Sequence, residues 1–167
     1  MTTLFFSIMT TTLTILNIPV DQTVKYVDLE KFSGKWYVIG FKPTLFDKNW
    51  NYTTETYTLN EKGGYDIYTT WRKTEEDKLR SVNSKGFIDK SSGNSKWKVQ
   101  FLWPFKADYW VLELDDEYQY VVVGNKKKSF LYIMSRTPEM SEKLYAAILD
   151  RCKNKGYDLS KVKKQKQ

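Results

Sequence analysis

The 167-residue sequence predicts an all-β domain: an eight-stranded antiparallel up-and-down β-barrel (a calyx) with a C-terminal α-helix packed outside it. Three observations carry that expectation. The chain holds 6 Trp, 12 Tyr and 9 Phe although only 41% of it is hydrophobic, and β-branched residues are plentiful beside them; both facts favour strands. From Lys31 onward, β-favouring segments recur at spacings of about ten to fourteen residues with turn residues between them, the pattern of a sandwich or barrel. A helical period appears only near the end of the chain. One domain accounts for this length, which suffices to bury roughly two thirds of the surface of the unfolded chain.

The elements follow in order. Residues 1–20, MTTLFFSIMTTTLTILNIPV, read as a weak secretory leader or as an unremoved N-terminal arm. The run has no Lys or Arg before it, no A-x-A cleavage pattern and no cysteine that could take a lipid anchor. Its length and polarity argue against a spanning helix. Eight strand segments come next: Lys35 to Phe41, Tyr52 to Leu59, Tyr65 to Trp71, Val82 to Ile88, Lys96 to Leu102, Tyr109 to Leu114, Tyr118 to Val123 and Phe130 to Ser135. Connectors such as Glu61-Lys62-Gly63-Gly64, Ser91-Ser92-Gly93-Asn94, Asp115-Asp116 and Gly124-Asn125 carry turn chemistry, and their shortness implies antiparallel neighbours. After Thr137-Pro138 the apolar residues Met140, Leu144, Ala147, Ile148 and Leu149 share one helical face until Lys155-Gly156 stops it. Thr137 is the expected N-cap, with Pro138 at the first helical position and Glu139 and Glu142 in the opening turn. The barrel and helix are assigned to 28–160 and a basic tail to 161–167. Closing eight strands removes the sheet edges and leaves an interior wide enough for side chains plus one small ligand.

Composition removes several function classes. There are no histidines and one cysteine, Cys152, so a His-based triad, a His/Cys zinc site and an intrachain disulfide are excluded. No cofactor or metal is expected. Leu149 lies three positions before Cys152 on the amphipathic helix, which favours a buried structural thiol over a reactive one. The formal charge of +7 comes partly from Lys126, Lys127 and Lys128 and partly from Lys161, Lys163, Lys164 and Lys166. Such clusters ordinarily serve solubility; an anionic membrane surface is the partner to test first, reached through the basic tail.

Gly34-Lys35-Trp36-Tyr37 opens the first strand, Leu114-Asp115-Asp116-Glu117-Tyr118 joins the sixth to the seventh, and Ser135-Arg136-Thr137-Pro138 ends the eighth. In order and spacing these resemble the lipocalin family, with G-x-W on the first strand, a T-D-Y-like turn before the seventh and an arginine after the eighth. The likeness is greatest to bacterial lipocalins and their apolipoprotein D-like relatives. Lys98-Val99-Gln100-Phe101, Pro104-Phe105 and the run Leu131 to Pro138 add to it. The resemblance implies that Trp36 plugs the closed end of the barrel and that Arg136 lies across its ring, with Gly34 allowing close approach; Gly34, Trp36, Tyr118 and Arg136 are then scaffold. The T-D-Y turn is altered to Asp116-Glu117-Tyr118, and the bacterial members' anchoring cysteine is absent, so neither receptor recognition through that end nor lipid anchorage carries over.

Side chains alternate between lumen and exterior along a barrel strand, so the family's registers imply an inward set. It comprises Val38 and Gly40; Thr53, Glu55 and Tyr57; Tyr65, Ile67, Thr69 and Trp71; Gly86 and Ile88; Trp97, Val99 and Phe101; Tyr109, Val111 and Glu113; Tyr120 and Val122; and Phe130, Tyr132 and Met134. A bulge would flip everything after it. In the sixth strand hydrophobicity alone supports the opposite register, with Trp110, Leu112 and Leu114 inward and Glu113 in water, and both registers stay open. Phe46 and Trp50, on the long loop after the first strand, read as lid residues over the open end or as a loop packed on itself.

The function these residues imply is storage or transport of a small lipophilic ligand, a fatty acid or a lysophospholipid-like molecule, in a protein that is not an enzyme. An apolar tail would occupy the region of Trp97, Phe101, Phe130 and Tyr132, and lumen carboxylates would tilt the choice toward a zwitterionic or cationic head. Catalysis would need Glu55 or Glu113 beside a tyrosine as an acid–base pair. A single-strand nucleic-acid platform is disfavoured, because the lysines cluster at one hairpin and the tail while most aromatics alternate into the barrel. The expected location is secreted, periplasmic or membrane-associated, with the cytoplasm as the alternative; the expected state is a monomer or a weak homodimer, in membrane lipid maintenance.

Overall fold

Asp28 starts the folded body by accepting hydrogen bonds from the backbone N–H groups of Glu30 (3.0 Å) and Lys31 (3.1 Å), which caps a single helical turn, α1 (Leu29–Phe32). The structure, a computed structural model, describes residues 22–167; the leader or arm read from residues 1–20 lies outside the described residues. Nine strands follow: β1 (Gly34–Lys42), β2 (Asn51–Leu59), β3 (Tyr65–Arg72), β4 (Arg80–Asp89), β5 (Lys96–Leu102), β6 (Phe105–Leu114), β7 (Tyr120–Gly124), β8 (Leu131–Ser135) and β9 (Lys163–Lys164). Strands β1 to β8 pair antiparallel with their sequence neighbours, and β1 also pairs with β8, so eight strands close into a barrel. The helix α2 (Glu142–Asn154) lies against its outside.

Two cores share the barrel wall. Inside are Phe32, Trp36, Val38, Phe41, Tyr57, Tyr65, Ile67, Trp97, Val99, Tyr109, Val111 and Met134. Outside, Tyr145, Ile148 and Cys152 of α2 cover Ile39, Leu112, Val122, Leu131 and Ile133. Burial pushes the Cys152 thiol up to about 12, so it stays protonated and packs as a small hydrophobe. The helix starts later than Thr137-Pro138: its cap is Ser141, which accepts from the Leu144 N–H at 3.3 Å. The Thr137 hydroxyl is committed elsewhere, donating to the Glu139 carbonyl at 2.8 Å.

Bulges correct the inward set. Between Val38 and Gly40 the β1–β8 register shifts by one residue, so Gly40 faces outward, not into the lumen, and Phe41 turns in. A Cβ on Gly40 would stand 2.8 Å from the Tyr145 ring, which explains glycine there. A second bulge falls between Val111 and Glu113. Both sixth-strand registers are therefore half right: Tyr109 and Val111 face in, Leu112 packs under α2, and Leu114 packs against the inner core beyond the bulge. Glu113 is outside the barrel, where its carboxylate meets the Arg151 guanidinium at 2.5 Å and accepts from the Tyr120 hydroxyl at 3.0 Å. Val122 and Tyr120 are outside as well, while Val121 and Val123 take the inward positions. Phe101 follows a register break between Val99 and Leu102 and is half exposed on the β5–β6 hairpin instead of packed in the lumen. Glu113→Gln is expected to leave ligand affinity unchanged and to lower stability by under about 1 kcal/mol, because the pair is partly solvated; a urea melt and a ligand titration check both.

The tail is built into the wall. β1 and β2 pair only where Gly34 to Tyr37 meet Thr54 to Tyr57. Beyond that the strands part, and β9 pairs with Gly40 and Phe41 of β1. The Gln165 N–H donates to the Ile39 carbonyl (2.8 Å), and the Lys166 carbonyl accepts from the Tyr52 N–H (2.9 Å). Thr53 N–H donates to the Gln165 side chain (3.2 Å), and the Gln167 amide donates to the Val38 and Thr53 carbonyls. Tyr52 sits at φ +51°, the left-handed twist of a bulge that breaks its pairing with β3. The basic tail is thus the closing strand of the seam between β1 and β2.

Candidate functional site

The closed end is sealed by aromatic packing. Trp36, Tyr57, Tyr65 and Trp97 are at most 1% exposed. Phe32 stands edge-on to Trp97 (centroids 5.0 Å apart) and to Tyr57 (5.2 Å), and Trp97 stacks on Tyr109 at 5.2 Å and 11°. Each polar edge has a partner: the Trp36 indole donates to the Phe32 carbonyl (2.9 Å) and the Trp97 indole to the Asn94 carbonyl (2.6 Å). The Arg136 guanidinium lies 3.7 Å from the centre of the Trp36 ring and donates to the carbonyls of Lys31, Phe32, Lys35 and Tyr118. The Tyr118 hydroxyl accepts the Asp28 N–H at 2.9 Å, tying α1 to the β6–β7 turn. Gly34, at φ +98°, turns the chain from α1 into β1 beside Arg136.

Above this floor the lumen has a polar wall. The Tyr57 hydroxyl donates to the buried Glu55 carboxylate, and because that proton is used, the Tyr109 hydroxyl donates to Tyr57 at 2.5 Å. Burial raises the Glu55 carboxyl to about 7, opposed by the Tyr57 hydrogen bond and assisted by the charge of Asp47. Burial also pushes the Tyr57, Tyr109 and Tyr132 hydroxyls well above the usual tyrosine range, so all three remain neutral donors. On β2, β3 and β4, the buried hydroxyls of Thr53, Thr69 and Ser84 have no hydrogen-bond partner among the described residues. The facing wall is apolar: Val38, Phe41, Val123 and Met134 are buried, with Phe130 and Tyr132 half-buried toward the mouth. Gly86 approaches the Tyr65 and Ile67 side chains, and Ile88 packs at the rim of the same core.

The β1–β2 loop closes part of the mouth. Asp47 is 4% exposed; its carboxylate accepts from the Thr44 N–H (2.6 Å), the Thr44 hydroxyl (2.9 Å) and the Tyr132 hydroxyl. Trp50 stacks on Trp71 with centroids 4.0 Å apart and 14° between the rings. Phe46 points away, 89% exposed. Of the two lumen carboxylates expected from sequence, Glu55 is inside and Glu113 is replaced by Asp47. Asp47 was legible only as a loop acid; the signal available was its place three residues after Thr44, an Asx-type turn pairing. Phe32 and Ser84 carry no pattern that distinguishes them from surface positions.

The Glu55 environment has a pH consequence. Its carboxyl is protonated more readily in the folded barrel (about 7) than in the unfolded chain (4.5), so the folded state holds the extra proton between those values. Stability from this group is therefore greatest below about pH 4.5 and is lost as pH rises to about 7, an effect of about 3 kcal/mol. Comparing wild type with Glu55→Gln isolates it: the variant is expected to gain relative stability from pH 5 to pH 8 in thermal melts. Parallel curves for the two proteins would contradict the assignment.

An antiparallel calyx with a sealed aromatic floor, a mixed polar and apolar lumen and a looped mouth defines a barrel for small ligands. The chain belongs to the lipocalins: the family model described as a lipocalin-like domain matches residues 27–167. It is 35% identical to temperature-induced lipocalin-1 of Arabidopsis thaliana over 87% of this chain and 82% of that one. It is 28% identical to the outer membrane lipoprotein Blc of Escherichia coli K12, over 83% of this chain and 78% of the relative. Among solved structures, insecticyanin from the tobacco hornworm Manduca sexta shares the fold with a TM-score of 0.70 at 17% identity, over 89% of this chain and 85% of that one. Lipocalins bind small hydrophobic ligands and are generally binding and transport proteins.

Proposed function

We propose that this lipocalin stores or carries a single-chain amphiphile, a lysophospholipid-like molecule in preference to a free fatty acid, in the upper half of its barrel. The observation that carries the reading is the mixed chemistry of the lumen: the buried hydroxyls of Thr53, Thr69 and Ser84 have no hydrogen-bond partner among the described residues, and Phe41, Phe130 and Tyr132 supply apolar surface. Buried hydroxyls without partners are costly, so a ligand with polar groups at that depth is favoured. In this reading the tail lies against Phe130, Tyr132 and Trp71, toward the mouth and away from the aromatic floor around Trp97. Asp47 and Glu55 favour a head bearing a positive charge over a bare carboxylate.

The protein acts by binding. Cys152 sits outside the barrel as a neutral thiol, and the Glu55 carboxylate is engaged by the Tyr57 hydroxyl. A secreted, periplasmic or membrane-associated location, monomer or weak homodimer, and a role in membrane lipid maintenance fit a carrier of this kind, and neither nucleic acid nor a cofactor is needed for it. Native mass spectrometry of the protein purified from its source tests the reading: a co-purified amphiphile is expected, and ligand-free protein that also fails to take up added lysophosphatidylcholine would overturn it.

A further inference from the structure

Beside the mouth lies a cleft of about 300 Å³ lined by Phe41, Lys48, Asn49, Trp50, Asn51, Lys73, Lys163 and Lys164. It is assembled from separate parts of the chain: the end of β1, the β1–β2 loop and the start of β2, the residue after β3, and β9. No acidic side chain lines it. Among the described residues the ion pairs are Lys98–Asp108, Arg151–Glu113 and Lys164–Glu142, so Lys48, Lys73 and Lys163 form none, and Glu75, Glu76 and Asp77 after Lys73 do not line the cleft. The nearest acid in sequence, Asp47, is turned the other way and held by Thr44 and Tyr132. The position of Lys73 is fixed as well, because the Asn51 amide donates to its carbonyl at 3.1 Å.

Three unpaired lysines line one cleft that no carboxylate lines, and the positive potential they share favours an anion there. The Asn49 and Asn51 side chains add neutral polar groups, and the Trp50 ring, held flat by Trp71, supplies an apolar side for a short carbon skeleton. The volume is at the small end of ligand sites. We infer that this cleft binds a phosphate monoester, through Lys48, Lys73 and Lys163, at a site separate from the lumen. Because Lys163 belongs to the strand that closes the β1–β2 seam, an anion held there also ties β9 to the mouth loop.

The same chemistry is offered by a free small phosphate and by a lipid headgroup. Glycerol 3-phosphate and lysophosphatidate are therefore titrated separately at low salt, followed by the Trp50 indole resonance in ¹H–¹⁵N spectra. Glycerol 3-phosphate is expected to shift that resonance and to bind at least tenfold more weakly to the Lys73→Gln/Lys163→Gln double variant. A Lys126→Gln/Lys127→Gln variant removes the same charge elsewhere and is expected to bind as wild type. A parallel tenfold loss for lysophosphatidate in the first variant identifies a lipid headgroup as a source; an unchanged lysophosphatidate affinity restricts the site to free phosphates. Equal weakening in both double variants, or none in either, would overturn the inference by reducing the effect to diffuse attraction or to nothing. The lumen reading is judged separately, by uptake of lysophosphatidylcholine, and its failure would leave the glycerol 3-phosphate result unchanged.

Discussion

Arg136→Ala lowers the stability of the barrel by about 3 kcal/mol, a fall of roughly 1–2 M in the urea midpoint. The guanidinium donates to the four carbonyls of Lys31, Phe32, Lys35 and Tyr118 while covering the Trp36 ring at 3.7 Å, so one truncation undoes the joint between α1, β1 and the β6–β7 turn. Part of that group is solvated, and water replaces some of the lost donors; the figure is therefore below the sum of its hydrogen bonds. Arg136→Lys recovers less than half of the loss, because an ammonium lacks the planar fork that spans several carbonyls and stacks on an indole. A loss under about 1 kcal/mol would show that the closed end is held by aromatic packing alone.

Deleting Lys163 to Gln167 has the second large effect. The deletion strips partners from the Ile39 and Val38 carbonyls and from the Tyr52 and Thr53 N–H groups along the seam where β1 and β2 do not pair. At about 0.5–1.5 kcal/mol for each of these four bonds, the expected loss is about 2–6 kcal/mol. Hydrogen exchange locates it. The Tyr52 and Thr53 amides are expected to exchange at least a hundredfold faster, while the Thr54 to Tyr57 amides, which sit in the β1–β2 ladder, keep most of their protection relative to them. Equal acceleration along all of β2 would mean that the tail stabilises the barrel globally and does not close a local gap.

The fold was largely legible, because G-x-W, the β6–β7 turn and Arg136 fix three points of the barrel and the turn residues between them separate the strands. What stayed hidden has two physical causes. A bulge adds one residue without changing hydropathy, so nothing in the sequence marks the flips at Gly40 and Glu113. In β7, Val121, Val122 and Val123 are all buried, since α2 covers the outer face; with both faces apolar the alternation that reveals orientation disappears, and Val122 was assigned to the wrong side. The tail escaped for a different reason: Lys163, Lys164 and Lys166 read as solvated charge, yet the backbone between them and the amides of Gln165 and Gln167 form the seam. In the lumen, Val38, Glu55, Tyr57, Ile67, Trp97, Val99, Tyr109, Val111, Phe130, Tyr132 and Met134 lie on the inner side of the wall, where the pleat directs alternate residues. Alternation could not show that the lower half of this set fills its own space, which depends on Phe32 entering from α1.

Binding of an amphiphile in the lumen is tested most directly through the Trp50–Trp71 stack at the mouth. Lysophosphatidylcholine, a fatty acid of equal chain length and a cationic amphiphile are titrated against intrinsic tryptophan fluorescence of wild type and Trp71→Phe. A saturable change that is strongest for lysophosphatidylcholine, and reduced in Trp71→Phe, is the predicted result; equal silence from all three ligands would contradict it.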